Sequence, residues 1–310
     1  MSQKHYDVLI IGGGPAGLTA GLYTSRAQLR SLMVERMILG GQVMTTTKVE
    51  NYPGFPGGID GPDLMVRFQE HCQEFGLEVK YGEVESLVDQ GRFKAVRVDG
   101  EEILTRTVII TTGAEPRKLG VPGEQELTGR GVSYCATCDG AFFKNVPVAI
   151  IGGGDTAAEE ALFLTRFAEK VYLIHRRDQL RATKILQQRL FANDKIELLW
   201  DSEIERIEGD ARGVKAVELH NLKSGKKESL AVEGVFMAIG VTPKAHFLAE
   251  ILKLTDEGYI LTDAECRTSI PGVFAAGDVR KKILKQIATA VGDGAVAAIM
   301  AEKYLMDEEQ

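Results

Sequence analysis

The sequence predicts an α/β chain of two Rossmann-like dinucleotide-binding domains, the second inserted into the first. Val8-Leu9-Ile10-Ile11-Gly12-Gly13-Gly14 recurs 140 residues later as Val148-Ala149-Ile150-Ile151-Gly152-Gly153-Gly154. Each copy is a β-branched strand, a Gly-x-Gly-x-x-Gly/Ala turn closing at Gly17 or Ala157, and a helix rich in alanine and leucine. Two further buried-strand runs, Thr107 to Gly113 and Gly234 to Gly240, mirror each other. They lead into Glu115-Pro116-Arg117 and Val241-Thr242-Pro243, the expected outward and return crossings. The boundaries that follow are 1–115 with 246–310 for the outer domain and 116–245 for the insert.

Length and composition agree with this. A chain of 310 residues is long for one core and favours two domains. With 44% hydrophobic and 26% charged residues it falls in the ordinary globular class. A net charge of −7 gives no support to a nucleic-acid or membrane surface. The apolar runs are short and end in glycine, so no bilayer-spanning segment is expected. Met1 to His5 runs straight into the first strand, which leaves no room for a signal peptide.

In each glycine turn the first glycine permits the tight turn and the second lets backbone approach a pyrophosphate. The third position lets helix pack closely on strand, and free amides at the helix start hold phosphate. The copies differ where such a unit selects its ligand. In the first, the next strand ends in Glu35, 23 residues after Gly12, where an acid can accept both hydroxyls of an unmodified adenosine ribose. In the second, His175 stands at that spacing and Arg176, Arg177 and Arg181 follow. Guanidinium forks suit a ribose 2′-phosphate, while the plainer alternative is a solvated helix start.

Taken in order, Gly40-Gly41-Gln42 and Val49-Glu50-Asn51-Tyr52-Pro53-Gly54 read as loops around the first nucleotide. A helix is expected over Gly61 to Phe75, and an antiparallel meander from Leu77 to Val98. Beyond the second glycine turn come a helix from Thr183 to Phe191, a strand near Ile196 to Leu199, and a meander from Ile204 to Leu230 turned at Ser224-Gly225. Gly272 to Asp278 reads as a strand ending in a turn acid, followed by a long Ala-rich helix from about Gln286 to Tyr304.

Only Cys135 and Cys138, within Cys135-Ala136-Thr137-Cys138-Asp139, are paired by spacing. Four cysteines are no disulfide framework, and a close pair points to redox or metal chemistry in a reducing compartment, by default the cytoplasm. A structural zinc needs four ligands and no second motif supplies them, so no metal is expected. Asp139 is a candidate acid/base for the thiols, or alternatively a helix N-cap. Cys72, in an amphipathic helix, and Cys266, in a strand-like run, read as small buried residues. Trp200 reads as packing, His175 as a residue that packs under the nucleotide, and Asp155 as a helix cap.

Together these motifs resemble the low-molecular-weight, bacterial-type thioredoxin reductases over essentially the whole chain. The resemblance implies FAD and NADPH as cofactors, a homodimer, a thioredoxin-like protein as partner, and an NADPH-binding insert that rotates between two positions. It implies FAD contacts from Gly12, Gly14, Pro15, Ala16, Gly17, Glu35, Gly41, Gln42, Asn51, Thr112, Gly113, Gly277, Asp278, Lys285, Gln286 and Ile287. NADPH contacts would come from Gly152, Gly154, Asp155, Thr156, Ala157, His175, Arg176, Arg177 and Arg181. Cys138 would face the flavin and Cys135 would attack the substrate disulfide. Two departures stand out. Lys285 precedes Gln286 where the family usually has arginine, and Pro243-Lys244-Ala245 replaces a common Pro-Asn-Thr. Competing readings are a related flavoprotein with another electron donor or a small dithiol/disulfide substrate, and a dinucleotide sensor without turnover. The glutathione-reductase branch is disfavoured, because no cysteine pair follows the first glycine turn.

Overall fold

The computed structural model describes residues 5–45 and 48–308. The leading segment up to Lys4, read above as too short for a signal peptide, lies outside the described residues. Contacts divide the chain into two units. One comprises the residues up to Glu115 with those from Thr242 onward, and the other is Pro116–Val241.

The first unit begins with β1 (Tyr6–Ile11), α1 (Pro15–Arg26) and β2 (Ser31–Glu35). It continues through α2 (Gly61–Glu74), β3 (Glu78–Tyr81), β4 (Val84–Gln90), β5 (Phe93–Val98) and β6 (Glu101–Ile110), and β7 (Ala114–Pro116) carries the chain out. β1 pairs in parallel with both β2 and β6. The expected meander holds for β4 and β5, which pair antiparallel, and β5 pairs antiparallel with β6 beyond it. It fails at β3, which lies parallel to the edge strand β2. The chain reaches β3 through α2, and a helical crossover delivers a parallel strand.

The second unit contains β8 (Val132–Ser133), α3 (Ala136–Asp139), β9 (Pro147–Ile151), α4 (Asp155–Leu164), β10 (Lys170–Ile174), α5 (Lys184–Phe191) and β11 (Ile196–Leu199). The antiparallel strands β12 (Ser202–Asp210), β13 (Gly213–Asn221) and β14 (Lys227–Ala231) follow, then β15 (Gly234–Met237), and β16 (Val241–Pro243) carries the chain back into the first unit. The parallel sheet runs β11-β10-β9-β15-β8. On return the chain adds β17 (Val273–Ala275), parallel to the far end of β6, and α6 (Ile287–Asp307).

Pleating sends alternate side chains to opposite faces, and the internal repeat is visible in how each unit uses them. Val8 and Ile10 join the core shared with α1 and α6, while Leu9 and Ile11 face Val96, Val98 and Leu248. Val148 and Ile150 likewise meet Ala157, Ala161 and Leu164 of α4, and Ala149 and Ile151 meet Ile207 and Val217 of the meander. Full burial of each Val, Leu or Ile contributes about 1.5–3 kcal/mol. A one-residue slip would turn every one of these side chains to the wrong face. Among the described residues no helix is long and apolar enough to cross a membrane.

Candidate functional site

The first unit brings Gly12, Gly14, Gly17 and Glu35 together at the C-terminal ends of β1 and β2. Gly12 has φ +103°, and a Cβ there would meet Thr111 O at 2.6 Å, so only glycine fits. A Cβ on Gly17 would lie 1.9 Å from Gly12 O, which is how closely α1 lies on its strand. A Cβ on Gly14, in contrast, would meet nothing within 4 Å. The two roles are thus separated in space: Gly12 and Gly17 close the turn, and Gly14 opens onto the approach to the first amides of α1. Pro15 starts that helix, where its missing N–H costs nothing, and Ala16 is buried. Glu35 Oε2 accepts from Gly13 N at 2.7 Å and Oε1 from Met37 N at 3.0 Å, so the acid stands at the turn. Gly41 folds over the turn, its own Cβ position 3.2 Å from Gly14 Cα, and Gln42 follows in the same 3-10 segment, Gly41–Thr45.

At the far ends of β6 and β17, Thr112 donates to Lys244 O at 2.6 Å and Gly113 has φ +71°. Gly277 and Asp278 open a 3-10 turn behind β17. Asp278 Oδ1 is buried and receives no hydrogen bond from any described residue. Burial raises the Asp278 pKa, opposed by the charges of Lys282 and Lys285. Such an orphan acceptor calls for a donor from outside the chain. Asn51 Nδ2 donates to Gln286 Oε1 at 2.9 Å. Gln286 caps α6 through a reciprocal capping box with Thr289, and Ile287 is its first residue. Lys285 Nζ stands 4.1 Å from the centre of the Tyr259 ring, a cation–π contact.

The second unit repeats the cradle. A Cβ on Gly152 would meet Ala157 Cβ and Ala238 O, each at 2.5 Å, while one on Gly154 would meet nothing within 4 Å. Asp155 and Thr156 form the exposed first turn of α4. The expectation that Asp155 caps its own helix is corrected. The cap position is Gly154, without a side-chain bond, and Asp155 Oδ1 instead accepts from the N–H of Thr183, the cap residue of α5, at 2.6 Å. Asp155 is the first helical residue, so its side chain can turn outward and satisfy a neighbouring helix start. His175 is buried beneath Gly153, bonds Gln179 O through Nε2 at 3.0 Å and packs edge-on against Trp200. Burial lowers its pKa. Arg181 N and Ala182 N both donate to Gly153 O, strapping the basic segment to the glycine turn. Arg176, Arg177 and Arg181 are exposed, and none has an acidic partner among the described residues.

Also in this unit, Cys135 and Cys138 form a disulfide with Cα atoms 5.3 Å apart. Cys135 caps α3, its sulfur accepting from Cys138 N at 3.2 Å. Both cysteines are half-buried and Thr137 between them is exposed. Asp139 is the last residue of α3 and stands at the cap position of the following 3-10 turn, but its side chain makes no cap bond there. That corrects the capping alternative. Its Oδ2 accepts from Ser133 Oγ at 2.6 Å, and Ser133 Oγ accepts from Cys135 N at 3.1 Å. Burial raises the Asp139 pKa, and the Ser133 bond works against that rise. On α4, the Glu160 carboxylate meets the backbone of Ala136. Its pKa is pushed up to about 7, first by burial and then by the neighbouring Glu159 charge, with the Ala136 bond opposing.

Ser133, Glu160 and Thr111 were all missed in the sequence. Thr111 Oγ1 bonds Ile11 O and Gly12 O at 2.9 and 2.7 Å, pinning β1 where it enters the turn. No motif marks any of them, since each matters only through a partner brought near by folding. Cys72 and Cys266 are free and buried, with burial raising their thiol pKa values to about 12 and about 11. Cys266 lies at a left-handed turn position (φ +64°) between Asp263 and Arg267, not in a strand as its neighbours suggest.

The pyridine nucleotide-disulphide oxidoreductase family model matches residues 6–294. The chain is 51% identical over 303 residues to the thioredoxin reductase of Listeria monocytogenes, covering 98% of this chain and 95% of that one. It is 47% identical over 308 residues to that of Bacillus subtilis, covering 99% and 97%. The crystal structure of thioredoxin reductase from Streptococcus pyogenes matches with a TM-score of 0.95 at 48% identity, covering 99% and 100%. Two dinucleotide cradles and a closed cysteine pair are what such chemistry requires, and the chain belongs to the pyridine nucleotide-disulphide oxidoreductases, in the branch of the bacterial-type thioredoxin reductases.

Proposed function

We propose that the chain takes electrons from NADPH, passes them through FAD to the Cys135–Cys138 pair, and delivers them to the disulfide of a thioredoxin. The observation that carries this reading is the disulfide itself, closed across one turn with Asp139 and Ser133 beside it. The first unit fits FAD: the opening at Gly14, the ribose acid Glu35 and the orphan Asp278 Oδ1 are complementary to a dinucleotide with a free ribose. The second fits NADPH, with the opening at Gly154 and three guanidiniums, without acidic partners among the described residues, suited to a 2′-phosphate. When bound, FAD supplies the two-electron relay between nicotinamide and sulfur.

The remaining steps belong to the chain's own groups. Cleavage of the Cys135–Cys138 bond by two electrons yields two thiolates. On the resemblance, Cys138 is the sulfur that meets the flavin, and Cys135, whose Sγ accepts from the Cys138 N–H, is the nucleophile toward the partner. Cys135 thiolate attacks the partner's disulfide and displaces one partner thiolate. Cys138 thiolate then attacks the mixed disulfide, re-forming the Cys135–Cys138 bond and releasing the partner as a dithiol. Asp139, protonated more readily than an ordinary aspartate, gives a proton to one departing partner thiolate and is reprotonated from solvent, which also protonates the other.

The same reading takes the chain as a homodimer, on the resemblance, and places it in a reducing compartment such as the cytoplasm, where Cys72 and Cys266 stay free thiols. Anaerobic titration of the purified protein with NADPH, then with an oxidised thioredoxin, tests it through the visible flavin band. Bleaching by NADPH and recovery with thioredoxin are expected. Bleaching by another donor alone, or recovery only with small disulfides, would replace the reading with its competitor.

A further inference from the structure

Asp293 lies inside α6, flanked by Gly292 and Gly294, where the helix crosses the first turn of α1 so closely that a Cβ on Gly294 would stand 2.2 Å from Ala16 O. Its carboxylate gathers three donors. Oδ2 accepts from Gly277 N at 3.1 Å and from Lys282 Nζ at 3.0 Å, and Oδ1 accepts from Arg280 Nη1 at 3.1 Å. Arg280 in turn reaches Asp263 O and Cys266 Sγ, each at 3.0 Å. The side chains of Lys282, Arg280 and Asp293 are only 11%, 12% and 18% exposed.

Two acids compete for Lys282. Its ammonium is hydrogen-bonded to Asp293 and stands 3.7 Å from Asp278 Oδ1, beyond hydrogen-bond length. Asp293 therefore holds the turn amide at Gly277 and at the same time draws the lysine away from the orphan oxygen of Asp278. We infer that Asp293 is a positioning residue for FAD, fixing the Gly277–Asp278 turn and keeping Asp278 Oδ1 open to the cofactor. This rests on the reading that the first unit binds FAD through Asp278. Without the Asp293 charge, Lys282 is free to close on Asp278 and occupy the acceptor.

The test is the rate at which purified holoenzyme releases FAD, followed by the rise in free-flavin fluorescence. D293N is expected to release FAD about ten-fold faster, the size of effect one charge-assisted hydrogen bond carries. D293N/K282M is expected to return to within about three-fold of wild type, because the competing lysine is gone. A purely structural role for Asp293 predicts the opposite, since the double variant has lost more contacts. Release from D293N within about two-fold of wild type, or faster release from the double variant than from D293N, overturns the inference. Should D293N not fold, K282M alone decides. Retention within about three-fold supports Asp293 as the holder of the turn, and about ten-fold faster release assigns that role to Lys282. D278N guards the underlying reading: if its FAD release matches wild type, or wild type carries no flavin, the FAD reading fails independently of Asp293.

Discussion

The Ser133 hydroxyl donates to Asp139 across 2.6 Å while accepting from the N–H of Cys135 at 3.1 Å, so one side chain ties the acid to the redox turn. Burial raises the carboxyl's pKa and this bond restrains the rise. S133A therefore moves the Asp139 limb of the pH–rate profile to higher pH. D139N abolishes that limb and slows turnover about 10²-fold, the usual weight of one general acid. Steady-state rates from pH 5 to 9 for the three proteins check this. An S133A profile superimposable on wild type would refute it.

Arg176, Arg177 and Arg181 stand exposed beside the second cradle without acidic partners among the described residues. Replacing Arg176 and Arg181 with alanine is expected to raise the KM for NADPH about 10–100-fold and leave that for NADH within a few-fold, because only NADPH carries the 2′-phosphate. An equal rise for both coenzymes would return the arginines to a solvated helix start.

Gly14 and Gly17 separate cofactor approach from packing. Gly14 has φ −74° and open space around its missing Cβ, whereas a Cβ on Gly17 strikes Gly12 O at 1.9 Å. G14V should fold with a melting temperature near that of flavin-free wild type and hold no FAD. G17A should lose about 2 kcal/mol or more of stability through strain between α1 and β1. Flavin content and thermal melts of the two variants separate the effects, and normal FAD binding by G14V would count against the cradle.

Glu160 carries a pH signature of its own. Its ordinary carboxyl value is 4.5 and folding raises it to about 7, because burial penalises the charge. The folded state holds the proton more tightly, so this contribution is fully present below pH 4.5 and is lost as pH rises through 7. E160Q keeps an acceptor for the Ala136 N–H and carries no charge. It should be more stable than wild type at pH 8 by on the order of 2 kcal/mol and indistinguishable near pH 4. Melts of both proteins at the two pH values decide. A parallel pH dependence would show that another group is responsible.

Much of this was legible in the residues themselves. A β-branched strand running into glycines needs no distant partner to declare itself, and the offset repeat announces two such cradles. Glu35, His175 and the arginines follow by spacing along the same unit, and the cysteine pair is local. Where the expectations failed, position in space decided. β3 joins β2 because α2 carries the chain over the sheet, and Asp155 caps α5 because folding brings Thr183 to it.

What the sequence by itself determined is therefore the kind of chemistry, since strand patterning, glycine turns and Cys-x-x-Cys are fixed by neighbours along the chain. Tertiary structure alone decided how the charges are shared. Ser133 meets Asp139, Glu160 meets the turn between the cysteines, and Asp293 draws Lys282 from Asp278 across eleven to fifteen residues of chain. The physical reason is range: hydrogen bonds and buried charges act over a few ångströms, and only folding decides which groups stand that close.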